Sequence, residues 1–193
     1  MKDEILKWKV SVAFLSRLLF SAKKLYDIGE IENLGQKESL VICAHPDDES
    51  LFFHKVIVEH TDVAVICLSN RSNLTRQAEF INAIKQYRVQ GIICDFPDNS
   101  YLTWAWKLFL PRMMCILNNR IRPKKVYTHN QNGEYGHTHH IITHDCVVNV
   151  FGDDVVSTSD DVVETLQEKQ SRRQFLDEVY KSQNLKQWFP DYY

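Results

Sequence analysis

Short apolar runs alternate along the chain with longer segments in which apolar residues recur every three or four positions. The runs resemble buried parallel strands, and the periodic segments are typical of amphipathic helices. We predict strands at 39–44, 62–68, 92–94 and 125–128, and helices at 51–59, 75–88, 104–119, 137–150 and 162–182. We expect Gly91 to end the second helix and Pro111 to interrupt the third. This alternation predicts an α/β fold with a mostly parallel, Rossmann-like sheet flanked by helices.

An amphipathic segment precedes this alternation. Its apolar stripe has spacings of three and four and consists of Ile5, Trp8, Val12, Leu15, Leu19, Ala22 and Tyr26. The longest uncharged run, 10–16, is far shorter than the roughly 20 residues that a membrane-spanning helix needs. We therefore predict an extra N-terminal helix over 5–26, which either packs on the domain or lies on an anionic membrane surface. We therefore predict that the chain consists of an N-terminal helix with its linker, 1–37, and one α/β domain, 38–193.

Composition narrows the class of protein. The 193 residues, 44% of them hydrophobic, suit one domain with a proper core. A net charge of −2 argues against a nucleic-acid partner. Five cysteines without a C-x-x-C pair are expected to be free thiols in a reducing compartment. No signal peptide is evident, so we expect a cytoplasmic protein, with a peripheral position at the membrane face as the alternative.

The first stretch with candidate chemistry follows the first strand and reads Ala-His-Pro-Asp-Asp-Glu-Ser at 44–50. In open α/β sheets, ligands bind just outside the carboxyl ends of the strands. His45 and Asp48 stand three apart across such a turn and can both point at one cation, with Asp47 beside it. An imidazole and a carboxylate suit Zn²⁺, and a catalytic zinc usually has three protein ligands, so a third must come from elsewhere.

The second stretch follows the fourth strand and contains four of the eight histidines between positions 129 and 140. Its glycines allow a tight turn into a helix. His137 and His140, three apart at the helix start, can share one face. We expect His140 to be the third ligand, and His137, His139 and His144 are the alternatives.

Together the two stretches carry a resemblance. His-Pro-Asp-Asp-Glu at 45–49, followed by Gly-Glu-Tyr-Gly-His-x-x-His at 133–140, resembles the PIG-L/LmbE family of zinc-dependent N-deacetylases. That family includes the de-N-acetylase of glycosylphosphatidylinositol biosynthesis and the deacetylases of mycothiol and bacillithiol synthesis. The similarity extends over about 38–188. Either motif alone would be weak, but the pair in this order is specific.

Amide hydrolysis needs a nucleophilic water, a base, stabilisation of the oxyanion and an acid for the leaving amine. Zn²⁺ held by His45, Asp48 and His140 would lower the pKa of its bound water towards about 7 and polarise the acetyl carbonyl. Fe²⁺ is the alternative metal for the same ligands. Asp47 is placed to accept the proton of the water, and His137 to contact the oxyanion or protonate the departing nitrogen. The resemblance assigns the same roles to these positions.

Two loop residues align with positions that contact substrate in relatives. The resemblance implies that Arg76 meets a phosphate or the sugar and that Asp98 accepts hydrogen bonds from sugar hydroxyls. The alternative is a solvated helix arginine and a turn aspartate, and Arg71 competes with Arg76 for the same role.

The chain also departs from the family. The family usually reads His-Pro-Asp-His where this chain has His-Thr-His-His at 137–140. The missing carboxylate at position 139 removes a neighbour that could favour the charged form of His137. We therefore expect an altered pH optimum.

These observations predict a metal-dependent hydrolase that removes an N-acetyl group from an N-acetylglucosaminyl-type glycoside or glycolipid precursor. The expected partner is an N-acetylated amino-sugar conjugate, with membrane-surface contact through residues 5–26 as a further hypothesis and homo-oligomerisation left open. The alternatives are an inactive sugar-binding or scaffolding relative, a deacetylase of a non-sugar conjugate, and a metal-dependent phosphoesterase. A two-metal phosphoesterase would need more carboxylates than the one cluster provides.

Overall fold

The structure, a computed structural model, describes residues 24–193. Most of the predicted N-terminal helix, 5–26, therefore lies outside the described residues. The strands are β1 (Ser39–Cys43), β2 (Val63–Ser69), β3 (Gln90–Phe96), β4 (Lys125–Thr128) and β5 (Val156–Thr158). The main helices are α1 (Ile28–Asn33), α2 (Asp48–Glu59), α3 (Leu74–Tyr87), α4 (Thr103–Ile121), α5 (Thr138–Phe151), α6 (Leu166–Val179) and α7 (Leu185–Trp188), and short helical turns lie at Ser100–Leu102, Gly133–Gly136 and Ser159–Asp161.

The five strands form one sheet in the order β3-β2-β1-β4-β5, and every pair is parallel. The α/β class and the parallel sheet are thereby confirmed. The chain leaves β1 towards β2 on one side and later returns to β4 on the other. The carboxyl ends of β1 and β4 thus meet at the point where the strand order reverses, which is where open α/β sheets bind ligands.

Alternate residues of each strand face opposite layers of helices. Leu40 and Ile42 of β1 belong to the core that packs under α4 and α5. Val41 and Cys43 belong to the core under α2, α3 and α6. Both faces of β1 are therefore covered, which explains why its five residues are all apolar or small and all buried.

Several predicted elements differ from the structure. Pro111 lies inside a continuous α4 instead of interrupting it, and both Pro111 and Lys107, whose carbonyl loses its partner, are exposed to water. Gly91 does not end α3: Arg88 takes the left-handed cap with φ 58°, and Gly91 lies within β3. A Cβ at Gly91 would come within 2.9 Å of the Ile84 side chain, so the close packing of α3 on β3 needs a glycine there.

Several short elements were not predicted, and α1 and β5 are two of them. α1 occurs in the segment 27–36, which reads as a polar connection, and begins where the Asp27 carboxylate accepts a hydrogen bond from the Gly29 N–H at 2.7 Å. β5 has only three residues and pairs with β4 at the edge of the sheet. Both are too short to show a hydrophobic period of their own. All five cysteines are free, four of them buried and Cys115 exposed.

Candidate active site

The turn after β1 folds tightly around its own carboxylate. The His45 N–H donates to Asp48 Oδ2 at 2.8 Å, and helix α2 begins at Asp48, three residues earlier than predicted. Asp47 joins the two elements with φ 109° and ψ −36°, a conformation that residues other than glycine rarely adopt. Because of this turn, His45, Asp47 and Asp48 are all buried at the carboxyl end of β1.

The turn after β4 is built by Asn130 and Glu134. Asn130 Oδ1 accepts hydrogen bonds from the Asn132 N–H at 3.0 Å and the Glu134 N–H at 2.9 Å. Gly133 has φ 63°, and a Cβ there would come within 2.9 Å of the Ile141 side chain. The turn returns the chain into α5, whose first residues carry His139 and His140 inwards, where both are buried.

The two turns bring the three predicted ligands together. His45 Nδ1 lies 3.2 Å from Asp48 Oδ2, His140 Nε2 lies 3.2 Å from the same oxygen, and the two nitrogens are 3.3 Å apart. Metal–ligand bonds of 2.0–2.1 Å in a tetrahedral site place neighbouring ligand atoms about 3.3 Å apart. The three atoms therefore have the spacing that one small divalent cation requires, and the residues fit the metal that the family resemblance implies.

Other combinations of ligand atoms also lie within 4.8 Å of one another among the described residues: His45, His137 and His140; His45, Asp98 and His139; and Asp48, His129 and His140. His129 is an unsuitable ligand because its Nε2 already accepts a hydrogen bond from the Ala44 N–H at 3.0 Å. His144 is placed elsewhere, with Nδ1 2.9 Å from the carbonyl oxygen of His129. His140 is shared by two of the three combinations, which supports it over His144 as a ligand.

Glu134 fixes the orientation of His140. Its Oε2 lies 2.7 Å from His140 Nδ1 and 3.0 Å from His129 Nδ1, and its Oε1 accepts hydrogen bonds from the Asn130 N–H and the Ser159 hydroxyl. A carboxylate on one ring nitrogen makes that nitrogen the N–H donor and leaves the other free for a metal. Glu134 therefore leaves the lone pair of His140 Nε2 directed at Asp48 and His45.

The electrostatics of the cluster favour the ionised forms of the Asp48 and Glu134 carboxylates. Burial alone would raise the pKa of Asp48, but His140, His129 and His45 hold that pKa well below its usual range. Burial would also raise the pKa of Glu134, and the hydrogen bonds of His129 and His140 lower it instead. Such a cluster concentrates negative charge at the position that a cation would take.

Asp47 lies beside the cluster and contacts Arg76. The Arg76 Nη2 is 3.4 Å from Asp47 Oδ2 and donates to the Pro46 carbonyl at 2.5 Å. Burial and the neighbouring Asp48 charge raise the pKa of Asp47 well above its usual range, against the opposing effect of Arg76. The structure thus places Arg76 against the turn that holds the candidate base, and its predicted contact with substrate stays a prediction.

Asp98, the other predicted substrate contact, borders a cleft of about 460 Å³ with Tyr135, Gly136, His137, Thr138 and His139. Its Oδ1 lies 3.4 Å from His45 Nε2, and its Oδ2 accepts a hydrogen bond from Asn70 Nδ2 at 3.0 Å. His45 and Asn70 hold the pKa of Asp98 below its usual range. The side chain is 39% exposed, so Asp98 contacts His45 and still faces the cleft.

His139 occupies the place of the family carboxylate. Its ring stacks on Trp106 with centroids 4.5 Å apart and 7° between the planes, and its Nδ1 lies 3.2 Å from His45 Nε2. Burial and the proximity of His45 lower its pKa to about 4. His139 therefore contacts His45 directly, and the expected effect of position 139 on His137 stays a prediction.

His137 stands at the mouth of the cleft, immediately before α5. Its Nδ1 accepts a hydrogen bond from the His139 N–H at 3.3 Å, which leaves Nε2 as the N–H donor of the neutral ring. Burial, together with His45 and His140, lowers the pKa of His137 to about 3. A neutral imidazole with a free N–H next to the cluster is suited to donate a hydrogen bond to a developing oxyanion.

Comparisons with known proteins identify the family of this chain. Residues 40–151 match the family model described as PIG-L, GlcNAc-PI de-N-acetylase, which is more than half of the chain. The chain belongs to the PIG-L family. The match covers both turns of the site, and family membership supports a deacetylase function.

A curated relative and two solved structures extend the comparison. Uncharacterized protein L374 of Acanthamoeba polyphaga mimivirus is 36% identical over 122 residues, and the match covers 53% of this chain and 53% of that protein. The chain thus spans about half the length of the curated relative that it matches. A triple mutant of a deacetylase in the teicoplanin biosynthetic pathway has a TM-score of 0.62 at 17% identity, covering 77% of this chain and 84% of that chain. GalB, the 4-carboxy-2-hydroxymuconate hydratase of Pseudomonas putida, has a TM-score of 0.51 at 16% identity, covering 76% and 82%.

At these identities the two solved structures show the fold alone. One is named as a deacetylase and the other as a hydratase, so the fold does not by itself select a reaction. The function must be inferred from the residues of the site. None of the helices within residues 24–193 combines the length and the apolar character needed to cross a membrane.

Proposed function

We propose that this PIG-L family protein is a metal-dependent N-deacetylase that releases acetate from an N-acetylglucosaminyl-type glycoside or glycolipid precursor. The observation that carries the proposal is the spacing of His45 Nδ1, Asp48 Oδ2 and His140 Nε2, which lie 3.2–3.3 Å from one another. Zn²⁺ is the metal of choice for two imidazoles and a carboxylate, with Fe²⁺ as the alternative. A cation bound there would polarise the amide carbonyl and acidify a water molecule.

Asp47 is the proposed general base. Its carboxylate adjoins the ligand cluster, and its raised pKa suits a group that must take a proton near neutral pH. The Arg76 guanidinium, 3.4 Å from Asp47 Oδ2, limits the directions in which the carboxylate can turn. In this role Asp47 removes a proton from the attacking water and can return it to the leaving nitrogen.

His137 is the proposed oxyanion donor. Its Nδ1 is occupied by the His139 N–H, so Nε2 carries the proton that can be donated as a hydrogen bond. The lowered pKa keeps the ring neutral at pH 7, which favours hydrogen-bond donation over full proton transfer. The amine would then receive its proton from the Asp47 carboxyl.

The cleft supports a polar substrate of modest size. Its volume of about 460 Å³ falls within the usual range for small-molecule sites, and its lining is rich in hydrogen-bonding groups. Asp98 and Thr138 can meet sugar hydroxyls, and the half-exposed Tyr135 ring can cover a sugar face. These features favour an amino-sugar conjugate over an apolar one, and the contact of residues 5–26 with a membrane surface stays a hypothesis.

The test is free-amine release from a panel of N-acetylglucosamine conjugates by the wild type and by Asp47→Asn. Asp145→Asn is a matched control because Asp145 is exposed on α5, away from the turns of the site. We expect turnover of at least one conjugate by the wild type and the control, and turnover reduced to a small residual rate in Asp47→Asn. Metal binding without turnover of any conjugate would instead favour a sugar-binding relative.

A further inference from the structure

A buried carboxylate next to the metal ligands has no role in the chemistry described so far. Glu49 follows Asp48 directly and is completely buried. Within residues 24–193, no lysine, arginine or histidine lies within ion-pair distance of it. A carboxylate is rarely buried without a cationic partner, so its hydrogen bonds should show what it does.

Both oxygens of Glu49 are occupied by neighbouring donors. Oε2 accepts a hydrogen bond from the Asp47 N–H at 3.1 Å. Oε1 accepts two hydroxyl hydrogen bonds, from Ser50 at 2.5 Å and from Tyr180 at 2.5 Å. The side chain thus connects the backbone of the proposed base with two hydroxyl groups inside the core.

The Asp47 backbone is the part of the site that most needs support. Its φ of 109° and ψ of −36° lie outside the regions that non-glycine residues favour. Its carbonyl accepts hydrogen bonds from the Ser50 and Leu51 N–H groups at 3.0 and 2.7 Å, while its N–H is held by Glu49. An unusual conformation persists only where its surroundings determine it, and Glu49 holds one side of this peptide unit.

The hydroxyl groups link this turn to distant parts of the chain. Tyr180 follows α6 and lies beyond residues 40–151, the part that matches the family model. Ser50 Oγ accepts a hydrogen bond from the Tyr87 hydroxyl at 3.0 Å, and His54 Nδ1 lies 2.8 Å from the same hydroxyl. The C-terminal part of the chain therefore reaches the turn of the proposed base through the buried Tyr180 hydroxyl.

We propose that Glu49 is a positioning residue that holds the Asp47 backbone in its unusual conformation, and that the Tyr180 hydroxyl anchors Glu49 for this task. The carboxylate can accept all three hydrogen bonds at once, whereas a glutamine in its place would direct an NH₂ group at another donor. The proposal rests on the proposed function only in the identification of Asp47 as the base.

The first test observes the hydrogen bond itself and needs no turnover. In protein labelled with ¹⁵N-aspartate, the Asp47 amide signal is identified by its absence in Asp47→Asn. A hydrogen bond to a carboxylate shifts this proton downfield and protects it from exchange. In Glu49→Gln we expect the signal to move upfield and its exchange to accelerate. Tyr180→Phe should give a smaller change of the same sign, and it is the milder variant if Glu49→Gln folds poorly.

The second test measures the consequence for catalysis. Residues that orient an active-site group typically contribute roughly 10- to 100-fold in activity. We expect turnover to fall by about 10-fold in Tyr180→Phe, while metal affinity is retained. In the Asp47→Asn background the same substitution should have no further effect. Tyr26→Phe is the matched control, since Tyr26 is equally buried but packs on Phe96.

The outcomes separate this proposal from the proposed function. An altered Asp47 amide in both variants supports the positioning role, even if the wild type deacetylates no conjugate, in which case only the proposed function fails. An Asp47 amide signal and exchange rate unchanged in both variants would overturn the positioning role. A loss of turnover in Tyr180→Phe that persists undiminished in the Asp47→Asn background would also overturn it.

Discussion

The two sides of the candidate site differ in how completely their polar atoms are paired. The ligand side consists of Asp48, His140 and the residues that hydrogen-bond around them. His140 Nδ1 and His129 Nδ1 both contact Glu134, His129 Nε2 accepts a hydrogen bond from the Ala44 N–H, and Asp48 accepts one from the His45 N–H. On the cleft side, Asp98 is partly exposed and His139 Nε2 has no partner among the described residues.

This difference indicates which groups the protein keeps rigid and which it leaves for a ligand. Buried polar atoms normally find partners, so an unpaired one next to a cleft is an exception that calls for an explanation. The ligand side can be assembled by the protein alone. Among the described residues, the cleft side combines a partly exposed carboxylate with an unpaired nitrogen, and substitutions on the two sides should separate metal binding from turnover.

The largest expected effect is on the ligand side. His140→Ala removes one of the three proposed ligand atoms, so its loss of metal affinity should exceed the roughly 100-fold that the loss of an outer hydrogen-bond partner can cost. Equilibrium dialysis with Zn²⁺ measures this directly. His144→Ala is the control, one turn further along α5, and should bind metal as the wild type does. Equal metal affinity in the two variants would mean that His140 is not a ligand.

On the cleft side, His137→Gln should leave the metal in place and slow the reaction. Removing one oxyanion donor costs about 100- to 1,000-fold in kcat in other enzymes. Steady-state kinetics with parallel metal analysis would show a fall in kcat with full metal content. Loss of the metal in His137→Gln would show that His137 contributes to metal binding and would contradict the proposed difference between the two sides.

Glu134→Gln is expected to weaken the ligand side to a smaller extent. The amide cannot accept hydrogen bonds from His140 and His129 as the carboxylate does, so we expect metal affinity to fall by roughly 10- to 100-fold. Competition with a chromophoric chelator is sensitive enough to measure this range. The exposed Glu178→Gln on α6 serves as the control. An unaltered affinity in Glu134→Gln would show that the contact does not orient His140.

The smallest effect is expected at the boundary of the two sides. His139→Asp restores the family carboxylate near His45 and His137 but gives up the stacking on Trp106. A negative charge there favours the protonated form of both rings, so their pKa values should rise and the acidic limb of the pH–rate profile should move to higher pH. We expect a shift in the pH optimum with less than about a 10-fold change in peak rate. A profile identical to that of the wild type would contradict the influence assigned to position 139.

The sequence was most informative where the chemistry is local. His45 and Asp48 are three residues apart across a strand-to-helix turn, and four histidines after the fourth strand form a concentration that packing does not explain. Parallel strands place their carboxyl ends at one edge, which is why two distant motifs could be expected to meet. Their positions in the structure agree with that expectation, and the α/β fold is confirmed.

Contacts that depend on the three-dimensional arrangement could not be predicted from the sequence. Glu134 lies in a recognisable motif, yet nothing in its spacing shows that it meets both His140 and His129. Tyr180 is 131 positions from Glu49, and the hydrogen bond between them exists only because α6 packs on α2. The sequence predicted that Asp98 contacts the substrate. Its approach to His45 Nε2 depends on the order of the sheet, in which β1 and β3 flank β2, so that the loops after β1 and β3 lie near each other.

We propose that His45, Asp48 and His140 hold one divalent cation on which N-deacetylation depends. The most direct measurement is to strip the wild-type protein with a chelator, return Zn²⁺ or Fe²⁺ in steps, and record free-amine release from the best conjugate at each step. Activity should be absent in the stripped protein and rise linearly to a break at one equivalent, with no rise in His140→Ala. Full turnover in the stripped protein, or an equal rise in His140→Ala, would contradict the claim.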